Sequence, residues 1–337
     1  MKNKHFNNRK AFSLVEISVV ILIVGILIFG ISRGNNLYND FRLRSAQNLT
    51  LGAPLNTIRN AVLWYETSLP QSFLAGENRD GVDITRWNDI SNNSNKNHAY
   101  AGQKTNANGI SFNLAPASTI ANTKGPIYIA DGINNLPTLQ FRNVSNSEYR
   151  YLVSDINSRT RGNEDLLMIV VTKYNSGSGW LIDRQCTVSG IPLSGCPNTS
   201  GSTPVGTPLF GIETKNARDI LFDCRYEDDN GCVSGNYYFD TGYDFDKSPT
   251  ILTIQRKFNN SVTMFYNGKN TLGTANRADN SKNIPTQPIK IGRHVNFEHT
   301  SDFLISEIIF IAGTISDRER DSIEDYLGKK YSIPVSH

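Results

Sequence analysis

A single carboxylate, Glu16, stands inside the run Phe12 to Ile31, FSLVEISVVILIVGILIFGI, which is otherwise apolar or small. A charge one turn into a helix of hydrocarbon length costs about 2–3 kcal/mol on insertion scales, so Glu16 implies a partner or a function. The four cysteines, Cys186, Cys196, Cys224 and Cys232, all lie far beyond that run. In an oxidising compartment an even number reads as disulfides, with three possible connectivities. Cys186–Cys196 with Cys224–Cys232 is the favoured pairing, because each pair brackets a short Gly-containing loop that closes at low entropic cost. The spacings are not the CxxC of a zinc site, and no His lies close to either pair.

Hydrolysis of a glycan would need two carboxyls about 5–5.5 Å apart in the retaining case. On one strand face that means acids at i and i+2 or i+4. Asp240, Asp244 and Asp246 in FDTGYDFD come nearest, but the run holds Gly242 and no Glu and reads as a loop. The five His are scattered, which gives no support to Ser/His/Asp chemistry, so the chain is read as a non-enzyme. Two oxygen-rich turns, Glu227-Asp228-Asp229-Asn230-Gly231 and Asn78-Arg79-Asp80-Gly81, have ligand types that suit calcium, and each also reads as a plain solvated turn. No other cofactor is implied. Trp64 and Trp87 read as core rather than as a platform for a sugar ring, while Trp180 begins a strand and is open to either reading.

These residues need elements to hold them. Twenty apolar residues at about 1.5 Å each make a helix of roughly 30 Å, the thickness of a bilayer's hydrocarbon core. Lys2, Lys4, Arg9 and Lys10 precede it with no acid among them, so the N-terminus stays inside and the rest goes out. A secretory signal peptide has a shorter apolar region and a small-x-small cleavage site, and the Phe29-Gly30-Ile31-Ser32 boundary supplies no such site. With those four cationic residues removed, the net charge of +3 drops to about −1, and no basic stripe argues for nucleic acid. A hydrophobic content of 38% and 10% aromatics, spread along the chain, argue for a packed domain.

The segment Lys10-Ala11-Phe12-Ser13-Leu14-Val15-Glu16 resembles the type IV prepilin signature: a short basic leader, a small residue before the cut, an aromatic first mature residue and Glu at the fifth mature position. The resemblance implies a membrane prepilin peptidase that cuts between Ala11 and Phe12 and methylates the Phe12 amine. It also implies that Glu16 neutralises the amine of a neighbouring subunit in the fibre core. Ala11 stands where the family usually has Gly, and the run lacks the helix-kinking Pro of many major pilins. A minor pilin or pseudopilin is the better match.

After the run, Leu37, Phe41, Ala46 and Leu49 suggest a helix with a weak packing stripe, a short spine that Gly52-Ala53-Pro54 stops. From about Asn60 the pattern turns to strands: 61–65, 138–141, 166–171, 251–254, 262–266, 289–291 and 303–311. About a dozen antiparallel strands in a sandwich are expected. Ser316-Asp317-Arg318-Glu319 has capping-box spacing, and Ile323, Tyr326, Leu327 and Lys330 give the following helix one stripe to lay on the sandwich. The series LWYETS, WNDISNNSNKNHA, GINNLPTLQF, MFYNGK and ISEIIFIAGTISDRERDSIEDYLGKKYSI looks like a bacterial laminin-G or concanavalin-A-like jelly roll, over roughly residues 60–333. The Glu-x-Asp-x-Glu strand of the glucanases of that fold is absent, and His98 falls in its structural turn.

The expected organisation is therefore a leader (1–11), a transmembrane and spine helix (12–52) and a β-sandwich with a short C-terminal helix (53–337). The expected function is that of a fibre subunit whose lectin-like domain binds a surface glycan or protein. It would sit in a bacterial inner membrane with the domain periplasmic, or at the cell surface once assembled. The alternative is a membrane-tethered binding module that never assembles.

Overall fold

The computed structural model describes residues 13–337 apart from 59, 102–103, 106–110, 113–122, 144–148, 155–164, 178, 184–186, 189–190, 193–210, 216–218, 224–237, 245–246, 258–260, 277–288 and 293–300. The apolar run and the segment after it form one helix, α1 (Leu14–Leu51), of 38 residues, about 57 Å long at 1.5 Å per residue. Ser13 opens it with a capping box in which Glu16 Oε2 accepts from the Ser13 backbone N–H at 2.8 Å. Gly52 closes it, donating its N–H to Asn48 O at 3.1 Å. Of the stripe only its end reaches the domain: Ala46 is buried and Leu49 packs beside it, whereas Leu37 and Phe41 are exposed. Among the described residues no helix is long and apolar enough to cross a membrane.

Two antiparallel sheets of eight strands each follow, more strands than the turn signals mark out. The first runs Lys269–Asn276, Ser261–Tyr266, Thr250–Arg256, Leu166–Gly177, Ser301–Ala312, Leu136–Asn143, Ile127–Ile133. Ala61–Glu66 completes it by pairing with the C-terminal half of the central strand Ser301–Ala312. The second runs Tyr238–Asp244, Asp219–Asp223, Gly211–Lys215, Gly179–Asp183, Ile289–Ile291, Leu152–Ser154, Ala99–Ala101, Arg86–Trp87. Its edge strand corrects one expectation, because 238–244 pairs with 219–223 and is not a loop. Asn134 and Asn135, both at positive φ, turn one hairpin, and Asn267-Gly268 turns another, as two-residue hairpins require.

Side chains of both sheets share one core, among them Leu63, Tyr65, Phe141, Met168, Val170 and Phe310 from the first and Trp87, Leu152, Leu181 and Ile291 from the second. A second core lies on the other face of the first sheet. There Trp64, Ile169, Ile309 and Ile311 meet Ala46 of α1 and Ile323, Leu327 and Tyr331 of α2 (Asp317–Tyr331). A sheet buried on both faces has no polar side to alternate with, which is why Leu166–Val171 and Ile308–Ile311 read as continuous apolar runs. Ser316 and Glu319 form the expected capping box at the start of α2.

One bulge controls what faces α2. Along the central strand Thr172 pairs with Ile305 and Val171 with Glu307, so Ser306 is the extra residue. Phe303 and Ile305 point into the sandwich before it, Ile308 and Phe310 after it. Strict alternation would have turned Glu307 into that core; the bulge turns it out towards α2, the kind of re-aiming that bulges provide.

Candidate functional site

Ala11 and Phe12, the expected cleavage and methylation positions, lie outside the described residues, as do Cys186, Cys196, Cys224 and Cys232. Glu16 lies in the first turn of α1, exposed, and its carboxylate caps its own helix. Beyond it, exposed apolar side chains run without a polar face from Leu14, 85% exposed, to Phe29, 63% exposed. The hydrogen bonds that tie α1 to the sandwich come from its other half. Arg42 donates to Ser332 Oγ at 2.8 Å and to Asn134 O at 2.9 Å, and Gln47 donates to Ser68 O at 2.9 Å.

At the foot of α1 the structure builds a charged cluster inside the second core. Glu66 ends the first strand and is the register partner of Glu307. Lys330, from the last turn of α2, places Nζ 3.0 Å from Glu66 Oε2 and 2.8 Å from Glu307 Oε2. Both carboxylates are otherwise fully supplied with donors. Glu66 accepts from Ser68 N and Oγ, Leu69 N and Ser72 Oγ. Glu307 accepts from Trp64 Nε1 at 2.7 Å, Tyr326 OH at 3.0 Å and Tyr331 OH at 2.9 Å. Thr50 near the end of α1 reaches the same cluster, its hydroxyl 3.3 Å from Tyr326 OH.

Burial pushes the Glu66 carboxyl up, but Lys330 and the donors from Ser68, Ser72 and Leu69 outweigh it and hold the group below its ordinary value. Burial pulls Lys330 down, yet Glu307 first, then the two tyrosines and Glu66, carry it well above its ordinary value. Tyr326 and Tyr331 are raised by burial and by Glu307. Glu66 and Lys330 are therefore charged at neutral pH, and the tyrosines are neutral donors.

Two carboxylates bridged by one Nζ are close enough for a glycosidase pair. Their side chains are wholly buried, however, and the lysine fills the space where a glycosidic oxygen would sit. The cluster seats α2 and α1 on the sheet and offers a substrate no access. Asp240 and Asp244 fall four residues apart on the edge strand of the second sheet. Asp246 lies outside the described residues, as does the turn 227–231.

The WNDISNNSNKNHA turn is a structural knot. Asp89 accepts from Trp64 N at 3.0 Å, Ser91 N at 2.9 Å and Asn97 N at 3.0 Å, while His98 Nδ1 accepts from Asp89 N at 3.1 Å. Trp87 and Trp64 are buried, as expected of core, and Trp180 does begin the strand Gly179–Asp183. In the other oxygen-rich turn Asp80 accepts from Ala130 N at 2.9 Å, which staples the turn to the strand Ile127–Ile133. Among the described residues one group brings three metal-ligand types together, Asp321, Glu324 and His337.

Sequence reasoning missed Glu66 and Glu307 and assigned Lys330 only to an apolar stripe. The signal was present: Glu66 ends and Glu307 interrupts a strand of large apolar residues, and a lysine shares the helix face that packs there.

No family model and no curated protein matches this chain. Solved structures similar to it include the binding domain of botulinum neurotoxin DC, in complex with SialylT (10% identical, TM-score 0.47, covering 80% of this chain and 52% of that one). The same domain in complex with rat synaptotagmin II is 11% identical, with a TM-score of 0.47 and coverage of 81% and 52%. The binding domain of serotype G is 11% identical, with a TM-score of 0.44 and coverage of 80% and 51%. The chain spans about half the length of these proteins.

Proposed function

We propose that this chain is a minor type IV pilin or pseudopilin-like subunit whose β-sandwich is a non-enzymatic binding module outside the cytoplasm. The observation that carries the reading is the N-terminal half of α1, exposed from Leu14 to Phe29 and apolar on all sides apart from Glu16 and Ser18 in its first turns. A helix with no polar face belongs in a bilayer or among other helices. In the sequence the run continues through Ile31, which brings it to the length of a hydrocarbon core.

In this reading a prepilin peptidase removes residues 1–11, and Phe12 becomes the methylated N-terminus. The helix rests in the inner membrane until Glu16 pairs with the terminal amine of a neighbouring subunit. Leu37, Tyr38 and Phe41, exposed on the part of α1 beyond the apolar run, then pack against other subunits in the fibre. The sandwich is carried outward on the spine, held rigid by the Glu66–Lys330–Glu307 cluster, and meets a surface glycan or protein. Mass spectrometry of the mature N-terminus tests this: N-methylated Phe12 is expected, and a chain beginning near Ser32 would overturn it.

A second reading, a tethered binding module that never assembles, is favoured by one observation. Glu16 already has a partner within its own chain, the Ser13 backbone N–H, and a helix cap explains a lone carboxylate without any fibre.

A further inference from the structure

We propose that Asp321, Glu324 and His337 form a site for a zinc-class divalent cation at the C-terminal end of the sandwich, a site independent of whether the chain assembles. Asp321 and Glu324 sit one turn apart on α2. The chain after α2 folds back over them: Ile333 N donates to Gly328 O at 3.0 Å and Ser336 N to Asn267 O at 3.0 Å. This return places His337 Nδ1 3.4 Å from Asp321 Oδ1 and 3.6 Å from Glu324 Oε2, with all three ligand atoms within 4.8 Å of one another. Ligands about 2.0–2.1 Å from a tetrahedral zinc lie roughly 3.3 Å apart, so two of the three edges already have that length.

Two further features point to a cation. Glu324 is fully buried, and its Oε2 has no hydrogen-bond partner. Its other oxygen is fixed by Thr253 Oγ1 at 2.5 Å, which leaves Oε2 aimed at His337. The nearest positive group to Oε2 on α2 is Arg320 Nε, 3.8 Å away and beyond hydrogen-bond range. Arg320 lies over the Phe265 ring and pairs with Asp317, and it also donates to Asp321 Oδ1 from Nη2 at 2.7 Å and from Nε at 3.2 Å, so a bound cation would share that oxygen with the guanidinium.

The second feature is the imidazole's outer nitrogen. His337 Nε2 lies 3.2 Å from Asp325 Oδ1. A carboxylate that takes the proton of one ring nitrogen leaves a lone pair on the other, the arrangement by which second-shell acids orient metal-binding histidines. In that tautomer the lone pair faces two carboxylate oxygens, and a cation among the three would reconcile them. A proton on Nδ1 would give a plain ion-pair cluster, which is the competing outcome. One imidazole with two carboxylates suits zinc better than calcium or magnesium, which prefer oxygen throughout. Water would complete the fourth position.

The test titrates the full-length chain, in detergent, with Zn2+ and separately with Co2+, following metal by competition with a chromophoric chelator. One equivalent is expected to bind, with a Co2+ spectrum free of thiolate charge-transfer bands. Asp321→Asn and His337→Ala, both at partly or fully exposed positions, are expected to weaken binding by on the order of ten- to a hundredfold, and Asp325→Asn by about tenfold. Binding that survives His337→Ala unchanged, or a Co2+ spectrum with thiolate bands, would place the metal on the cysteines and overturn the proposal. So would the lack of saturable binding, which would leave an ion pair only.

Discussion

Glu66 and Glu307 stand directly opposite one another across the pairing of two buried strands, where like charges ordinarily repel. The fold resolves the conflict from a third element. Lys330 of α2 bridges both, and seven further hydrogen bonds from Ser68, Leu69, Ser72, Trp64, Tyr326 and Tyr331 satisfy the remaining lone pairs. A buried ion cluster of this kind adds little net stability over an apolar core, but breaking it is costly. Its effect is to make one seating of α2 far better than a seating shifted by a turn.

The first prediction follows from that asymmetry. Lys330→Met leaves two uncompensated buried carboxylates and is expected to cost about 3–5 kcal/mol, a large share of the roughly 5–15 kcal/mol of a typical domain. Adding Glu66→Gln and Glu307→Gln should recover much of the loss. Chemical denaturation of the three proteins checks this; a Lys330→Met cost under about 1 kcal/mol would show that the cluster does not hold the helix.

The same groups set a pH window. Glu66 is held below its ordinary value of 4.5, so its contribution is full above that pH and is lost as pH falls through the lowered value. Lys330 is raised well above 10.5, and Tyr326 and Tyr331 well above 10.0. Their contributions are full below those ordinary values and fade as pH climbs through the raised ones. Tyr128, pushed up to about 12 by burial first and then by Glu66 and Asp80, adds to the alkaline side. The contribution of these groups should plateau between about 4.5 and 10 and fall on both flanks, with the acid flank reduced in Glu66→Gln; Glu324, raised chiefly by burial, works the other way, its contribution fading as pH climbs through the raised value. An acid flank identical in that variant would remove Glu66 as its source.

Much of the fold is legible because strands buried on both faces cannot hide. Leu166–Val171 and Ile308–Ile311 announce themselves by length and β-branching, and Ser316 with Glu319 marks the start of α2 by cap chemistry alone. The signal of the cluster is present but masked for a physical reason. A strand pattern gives face by counting in twos, and the bulge at Ser306 breaks the count, so counting puts Glu307 on the wrong side. Short strands of the second sheet, such as Arg86–Trp87 and Leu152–Ser154, carry too few residues to show a period at all. Neither does a spacing rule link His337 to Asp321, since a chain reversal brings them together.

Glu16 has two candidate roles that one substitution separates. In Glu16→Gln the capping box is kept, because Gln serves at that position, while the charge is lost. If Glu16 neutralises a neighbour's amine, Gln should abolish incorporation into sheared fibres as thoroughly as Ala or Val, with insertion and cleavage intact. Wild-type incorporation of the Gln variant alongside failure of Ala would assign the residue to capping instead.

The last prediction concerns what the sandwich does. Its interior is filled by a shared core, and the outer face of the first sheet is closed by α2 and the foot of α1. A partner is left with the second sheet and the loop rims. The buried carboxylate pair Glu66 and Glu307, bridged by Lys330, is sealed inside with every oxygen engaged, so contact without turnover is the expected behaviour. The full-length chain in detergent or nanodiscs, with its cysteines oxidised, should bind saturably to some surface glycan or protein on arrays and whole cells. Surface substitutions on α2 such as Arg318→Glu should leave that binding unchanged. Release of reducing sugar from any polysaccharide on the array would contradict the reading as a non-enzyme. Failure to bind any glycan or cell surface would leave the sandwich as a spacer on the spine and end the adhesion proposal, whatever the N-terminus proves to be.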